Sequence, residues 1–83
     1  MTIEEIKKGV FQFVYDHAFT SRENITDDML IFKNGFLDSM GLVLLITYLE
    51  DTFKIQTTDA DLVEENFESI NAITAFVEKK KIK

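Results

Sequence analysis

Asp38-Ser39, within the run Gly35-Phe36-Leu37-Asp38-Ser39-Met40, is where the side-chain chemistry of this chain concentrates. The run passes from a segment rich in apolar anchors into a long periodic stretch, so Asp38 reads as a helix N-cap and Ser39 as the first helical residue. Helix N-termini present unpaired N–H groups and the positive end of the macrodipole, which makes Ser39 a favourable place for a phosphodiester. Cap chemistry alone accounts for an Asp-Ser pair, because both residue types are common there. What raises Ser39 above a cap is its setting. A serine exposed on a small acidic helical domain needs no base of its own when a separate enzyme supplies the chemistry.

The remaining inventory offers little to an enzyme. His17 is the single histidine and there is no cysteine, which removes thiol nucleophiles, thiolate metal sites and disulfides together. His17 near a helix C-terminus is expected to serve the dipole or a local hydrogen bond. A triad of Ser39, His17 and an acid lacks the cleft that would exclude water in so small a bundle. Neither Asp27-Asp28 nor Asp59-Ala60-Asp61 continues into the ligand spacing of a calcium loop, so no metal site is predicted.

The elements that must position Ser39 can be traced from caps and periodicity. Thr2-Ile3-Glu4-Glu5 is a capping box, followed by an apolar stripe of Ile3, Ile6, Val10, Phe13 and Val14 that predicts a helix ending near 17–19. Residues 20–38 show no sustained period, yet include apolar Ile25, Leu30, Ile31, Phe32, Phe36 and Leu37. That pattern predicts a long loop pinned to the core, with a short helical turn at most, and a loop of this length in a small domain is usually functional. The second helix runs from Ser39 to about Phe53, with Leu37 and Leu42 as a hydrophobic staple across its entry. Leu42, Leu45, Ile46, Leu49 and Phe53 form its core face. A second stripe of Met40, Val43, Leu44 and Thr47 marks either deep burial or a surface offered to a partner.

Thr58 opens a short acidic helix over about 59–65, and Ser69 caps a last helix whose inner face is Ile70, Ile73, Phe76 and Val77. No segment alternates in strand fashion. The expected fold is therefore all-α: a four-helix bundle of three longer helices and one short one, with a long loop between helices 1 and 2.

Eighty-three residues, 46% of them apolar and eight of them Phe, suit one small folded domain. The net charge of −6 disfavours nucleic acid and favours partners with basic docking surfaces. Asp59, Asp61, Glu64, Glu65 and Glu68 read as a solvated face, with docking of a basic partner as the functional alternative. Lys79, Lys80, Lys81 and Lys83 are expected to complement a helix dipole and keep the terminus soluble. The longest apolar run, Leu42 to Ile46, cannot span a membrane, and the N-terminus lacks signal-peptide character. A cytoplasmic monomer is expected.

Gly35-Phe36-Leu37-Asp38-Ser39-Met40 resembles the attachment motif of acyl and peptidyl carrier proteins, and the similarity continues through Val43, Leu45, Leu49, Glu50 and Phe53. It extends to Asp61-Leu62, Glu65-Asn66-Phe67 and the Ser69-Ile70 to Phe76 segment. The resemblance implies a single carrier domain over 1–83 with 4′-phosphopantetheine on Ser39, placed by a phosphopantetheinyl transferase, with Asp38 assisting that encounter. The chain would be no enzyme. It would tether an acyl or aminoacyl thioester and present it to an adenylate-forming ligase or an acyl or condensing synthase. Met40, Val43, Leu44 and Thr47 are the implied docking residues. Fatty-acid-synthesis carriers usually have acids early in the second helix, where this chain has Gly41 and Leu44, so docking should rest on apolar contact more than charge. Gly-Phe-Leu-Asp-Ser-Met-Gly is closer to D-alanyl carriers and to free-standing carriers that serve adenylate-forming ligases, with Gly41 leaving little side chain beside the arm. The cargo stays open among fatty acyl, polyketide and aminoacyl groups. The rival reading is an unmodified helical interaction module that binds a partner through the apolar face of the second helix.

Overall fold

In the computed structural model of the chain, which describes residues 2–81, the N-terminal capping box forms as its residue types require. The Thr2 N–H donates to Glu5 Oε1 at 2.8 Å and the Glu5 N–H to Thr2 Oγ1 at 3.2 Å, satisfying two donors that the first helical turn leaves orphaned. Helix α1 (Ile3–His17) then buries Ile6, Val10, Phe13 and Val14 on one face. Ile3, placed on that stripe by its spacing, stays exposed in the first turn. Helices α2 (Ser39–Phe53), α3 (Glu64–Phe67) and α4 (Ile70–Lys81) complete the bundle, and the described residues contain no strand. The all-helical expectation of three longer helices and one short one holds. Met1 and Lys83, the latter counted above in the basic tail, lie outside the described residues.

α4 packs on α1 and α3, and its inner face is the expected one: Ile70, Ile73, Phe76 and Val77 are all buried. Ser69 caps it as predicted, its Oγ accepting the Ala72 N–H at 3.1 Å. α2 contributes Leu45, Leu49 and Phe53 to the same core. The α1–α2 loop contains one short 3-10 turn, Arg22–Asn24, and is pinned inward by Ile25, Ile31 and Leu37. Backbone bonds anchor it to the other end of the chain. The Ile31 N–H donates to the Glu68 carbonyl at 2.8 Å and the Asn71 N–H to the Asp27 carbonyl at 2.9 Å.

The acidic segment is not a single helix over 59–65: a 3-10 turn at Asp59–Asp61 ends at Leu62, and α3 starts only at Glu64. The Asp61 carbonyl, which a continuous helix would have paired with a residue four further on, accepts instead the Val63 N–H at 2.9 Å and the Asn66 side-chain amide at 2.7 Å. Phe67 ends α3 and is buried, 5.1 Å from the Phe76 ring centroid.

α1 meets Tyr48 of α2 at Gly9. A Cβ at Gly9 would lie 2.8 Å from the Tyr48 hydroxyl and 3.4 Å from the Phe53 ring. The clash is expected to outweigh the ~1 kcal/mol that alanine gains over glycine inside a helix, so Gly9→Ala should destabilise the fold by a net of about 1 kcal/mol. Tyr48→Phe in the same chain should recover part of the loss, because the shortest clash is with the hydroxyl. Urea unfolding of the single and double variants checks this, and an unchanged midpoint for Gly9→Ala would refute it.

Candidate functional site

The chain reaches α2 through a turn that favours glycine: Gly35 has φ +74°, and its N–H donates to the Phe32 carbonyl at 3.1 Å. The Phe36 N–H then donates to the Ile31 carbonyl at 3.0 Å, and its own carbonyl accepts the Phe19 N–H at 2.8 Å. Leu37, 3% exposed, drops into the core, and the next two residues, Asp38 and Ser39, face solvent. Asp38 is the N-cap that its residue type predicts. Its Oδ1 accepts the Gly41 N–H at 2.9 Å and its carbonyl accepts the Leu42 N–H at 3.0 Å. The N–H groups of Ser39 and Met40 have no acceptor inside the helix, so the exposed Ser39 hydroxyl stands beside donors suited to a phosphate.

Three serines occur in the chain, and the structure separates them. Ser69 is buried with its hydroxyl engaged in a cap, and Ser21 precedes a single 3-10 turn. Ser39 alone combines the start of a long helix with an exposed side chain. His17 takes no part in this arrangement: its ring stacks on Phe13 at 4.0 Å and its Nδ1–H donates to the Phe13 carbonyl at 2.9 Å.

Leu37 and Gly41 meet in a way that the staple argument did not anticipate. The neighbour under Leu37 is the bare α-carbon of Gly41, where an added Cβ would lie 3.2 Å from both the Cβ and Cδ2 of Leu37. Gly41 is itself buried, so its missing side chain makes room for Leu37 rather than for a group on the surface. Leu42 turns toward a half-open apolar groove of about 200 Å³, lined by Phe32, Leu42, Leu62, Val63, Glu64 and Phe67. Leu42 follows Ser39 by three residues and so shares its side of the helix. Leu62 and Val63 are exposed residues that the sequence reading missed, because it carried a helix straight through them. An apolar pair breaking an acidic run was the available signal.

The second stripe of α2 is exposed: Met40 by 64%, Val43 by 56% and Leu44 by 44%, with Thr47 exposed one turn on. Thr47 donates its hydroxyl to the Val43 carbonyl at 3.1 Å, which ties up its polar group within the helix. The first two turns of α2 therefore present an apolar surface beside Ser39, with no charge in the first turn except the cap.

The far side of the groove is held by α4. Lys80 Nζ meets Asp61 Oδ2 at 2.7 Å, and the same oxygen accepts the Thr58 N–H at 3.0 Å. Lys81 Nζ donates to the Phe53 carbonyl at the end of α2 at 3.1 Å. These two lysines pin the α2–α3 connection, which is more than the dipole role expected of them. At the start of that connection Lys54 adopts a left-handed backbone, φ 58°, and Glu50 Oε2 accepts both the N–H and the hydroxyl of Thr57, at 3.0 and 2.7 Å.

Residues 20–77 match the family described as phosphopantetheine attachment site. The D-alanyl carrier protein of Lactococcus lactis is 32% identical over 92% of this chain and 96% of its own length. The acyl carrier protein of Chloroherpeton thalassium is 35% identical over 98% of this chain and 100% of its own. A chain from the crystal structure of an engineered glycine:[carrier protein] ligase of Bradyrhizobium japonicum, complexed with a carrier protein from Agrobacterium tumefaciens and ATP, superposes with a TM-score of 0.76. It is 24% identical and covers 89% of this chain and 97% of its own, a likeness of fold. The family match and the full-length relatives mark the chain as a carrier protein. The chain belongs to the phosphopantetheine attachment family and carries 4′-phosphopantetheine covalently. Among the described residues no helix is long and apolar enough to cross a membrane.

The Lys80 ammonium and the Thr58 N–H hold the Asp61 carboxyl below its usual 3.8. A carboxyl with a lowered folded pKa stabilises the fold above its unfolded pKa and loses that contribution as pH falls through the folded value. The stability difference between wild type and Asp61→Asn should therefore be constant near neutrality and shrink below about pH 4. Urea unfolding of both proteins across that range measures it, and a difference independent of pH would contradict the assignment.

Proposed function

We propose that Ser39 bears the 4′-phosphopantetheine arm and that the protein delivers an aminoacyl or short acyl thioester to partner enzymes. The observation that carries this reading is the α2 entrance, where Asp38 caps the helix and Leu37 is buried while Ser39 is left in solvent. The bound arm supplies a thiol that forms the thioester. The chain's own residues do the rest: Asp38 fixes the first turn and keeps a carboxylate next to the acceptor hydroxyl during the encounter with a phosphopantetheinyl transferase. Tethering keeps the cargo at roughly millimolar effective concentration for whichever enzyme docks.

The groove beside Leu42 supports a small cargo. Its volume of about 200 Å³ is below the ~300–1,000 Å³ typical of small-molecule sites, which suits a short group better than a long fatty acyl chain. Glu64 is the charged residue in its lining and offers a counter-charge to an α-ammonium group. Together with the D-alanyl carrier relatives, this favours a free-standing carrier loaded by an adenylate-forming ligase, outside bulk fatty-acid synthesis. Met40, Val43, Leu44 and Thr47 are the residues on which such a ligase or a transferase would dock, and family membership favours the carrier over an unmodified interaction module.

Incubation with coenzyme A and a broad-specificity transferase, followed by intact mass, is expected to add one phosphopantetheine to the wild type and none to Ser39→Ala. Absence of any addition to the wild type under an active transferase would sink the reading. Docking has its own test. Leu44→Glu places a charge in the exposed apolar stripe and is expected to raise the Kd for the loading ligase on the order of 10-fold while leaving the melting temperature close to wild type. Unchanged affinity by calorimetry would remove this surface from the interface.

A further inference from the structure

We propose that Gly41 is a positioning residue for arm transfer, acting through Leu37 to hold the Ser39 hydroxyl in register. The inference rests on Ser39 being the acceptor. Glycine is the least favoured residue inside a helix apart from proline, so one in the first turn of α2 needs a reason. Backbone freedom is not that reason, because the glycine with positive φ is Gly35 and Gly41 lies within the regular helix. Space is the reason. An added Cβ would lie 3.2 Å from Leu37 Cβ, 3.2 Å from Leu37 Cδ2 and 3.6 Å from Asp38 Oδ1.

Leu37 has little freedom to yield. It is 3% exposed, and one of its two clashing atoms is Cβ, which is fixed to the backbone and moves only if the main chain moves. The main chain at Leu37 is separated from Ser39 by Asp38 alone, and Asp38 is bonded back to the Gly41 N–H at 2.9 Å. The contact and the cap therefore close a small loop, Leu37–Asp38–Ser39–Met40–Gly41, of which Ser39 is the middle residue. A shift of a few tenths of an ångström at Gly41 is passed to Ser39 through both connections.

The reaction is sensitive to such a shift. The Ser39 Oγ–H bond breaks and its proton passes to a base on the transferase. A new Oγ–P bond forms at the pantetheine-bearing phosphorus of coenzyme A, the pyrophosphate P–O bond opens, and the nucleotide half leaves with the electron pair. In-line displacement demands a defined approach of the hydroxyl, and small misplacements of reacting groups carry large rate penalties. Because Gly41 is buried, a methyl there adds nothing to the surface on which Met40, Val43 and Leu44 are exposed.

The test is transfer kinetics on the full chain with coenzyme A and a phosphopantetheinyl transferase, with circular dichroism confirming that each variant is folded. Gly41→Ala is expected to lower kcat about 10-fold while KM for the carrier stays within about 2-fold of wild type. Leu37→Ala removes the Cδ2 contact and the core packing that holds the residue, so that its remaining Cβ can give way, and in that background the further penalty of Gly41→Ala should shrink to under about 3-fold. Leu37→Val, which lacks the clashing Cδ2, serves as the second background if Leu37→Ala does not fold. Transfer to Gly41→Ala at the wild-type rate overturns the proposal, as does a loss in KM alone or a penalty unchanged when Leu37 is trimmed. A wild type that takes no phosphopantetheine at all would instead be a failure of the Ser39 assignment.

Discussion

At the entrance to α2 the backbone must be buried on one side of Asp38 and open on the other, and the placement of the candidate site follows from how that is achieved. Leu37 is in the core and Ser39 is in solvent, although one residue separates them. The Asp38 carboxylate makes this abrupt passage stable by accepting the Gly41 N–H, a donor that the first helical turn would otherwise leave unpaired. Gly41 completes the arrangement by leaving the space that Leu37 fills. A serine in any helix start has favourable electrostatics for a phosphate; here the start is also held fixed.

The remainder of the bundle keeps that entrance from drifting. The long loop contributes Ile25, Ile31 and Leu37 to the core, and its backbone is tied to the residues around the start of α4 by the Ile31–Glu68 and Asn71–Asp27 bonds. At the opposite end of α2, Lys81 on the Phe53 carbonyl and Glu50 on Thr57 fix where the helix stops. The groove beside Leu42 is bounded by this same α2–α3 connection, so the Lys80–Asp61 pair that secures the connection also sets the groove's far wall. Stability and function thus draw on common contacts.

Much of this was readable in the residues because it depends on local rules. The Thr2–Glu5 box, the Asp38 cap and the Ser69 cap each follow from side-chain oxygens placed three residues before a free N–H, and the inner face of α4 follows from its period. The exposed Met40, Val43, Leu44 stripe was legible as an excess of apolar residues, although only packing could decide between burial and display. What local rules could not supply was tertiary. The acidic segment divides at Leu62-Val63 because those residues border the groove and Asn66 satisfies the Asp61 carbonyl, and neither fact is visible in a charge pattern. Gly41 reads in the sequence as space left beside the arm, whereas the space it leaves is filled by Leu37. The terminal lysines looked like solubilising charge until Lys80 and Lys81 were found reaching the α2–α3 connection.

The central claim is that Ser39, and no other hydroxyl, receives the prosthetic arm. Tryptic mapping after reaction with coenzyme A and a transferase tests it most directly, since cleavage after Lys33 and Lys54 isolates Asn34–Lys54 from the peptides that hold Ser21 and Ser69. The added phosphopantetheine is expected on Asn34–Lys54, with fragmentation placing it on Ser39. Its appearance on either of the other serine-containing peptides, or on Thr47 or Thr52 within this one, would contradict the account.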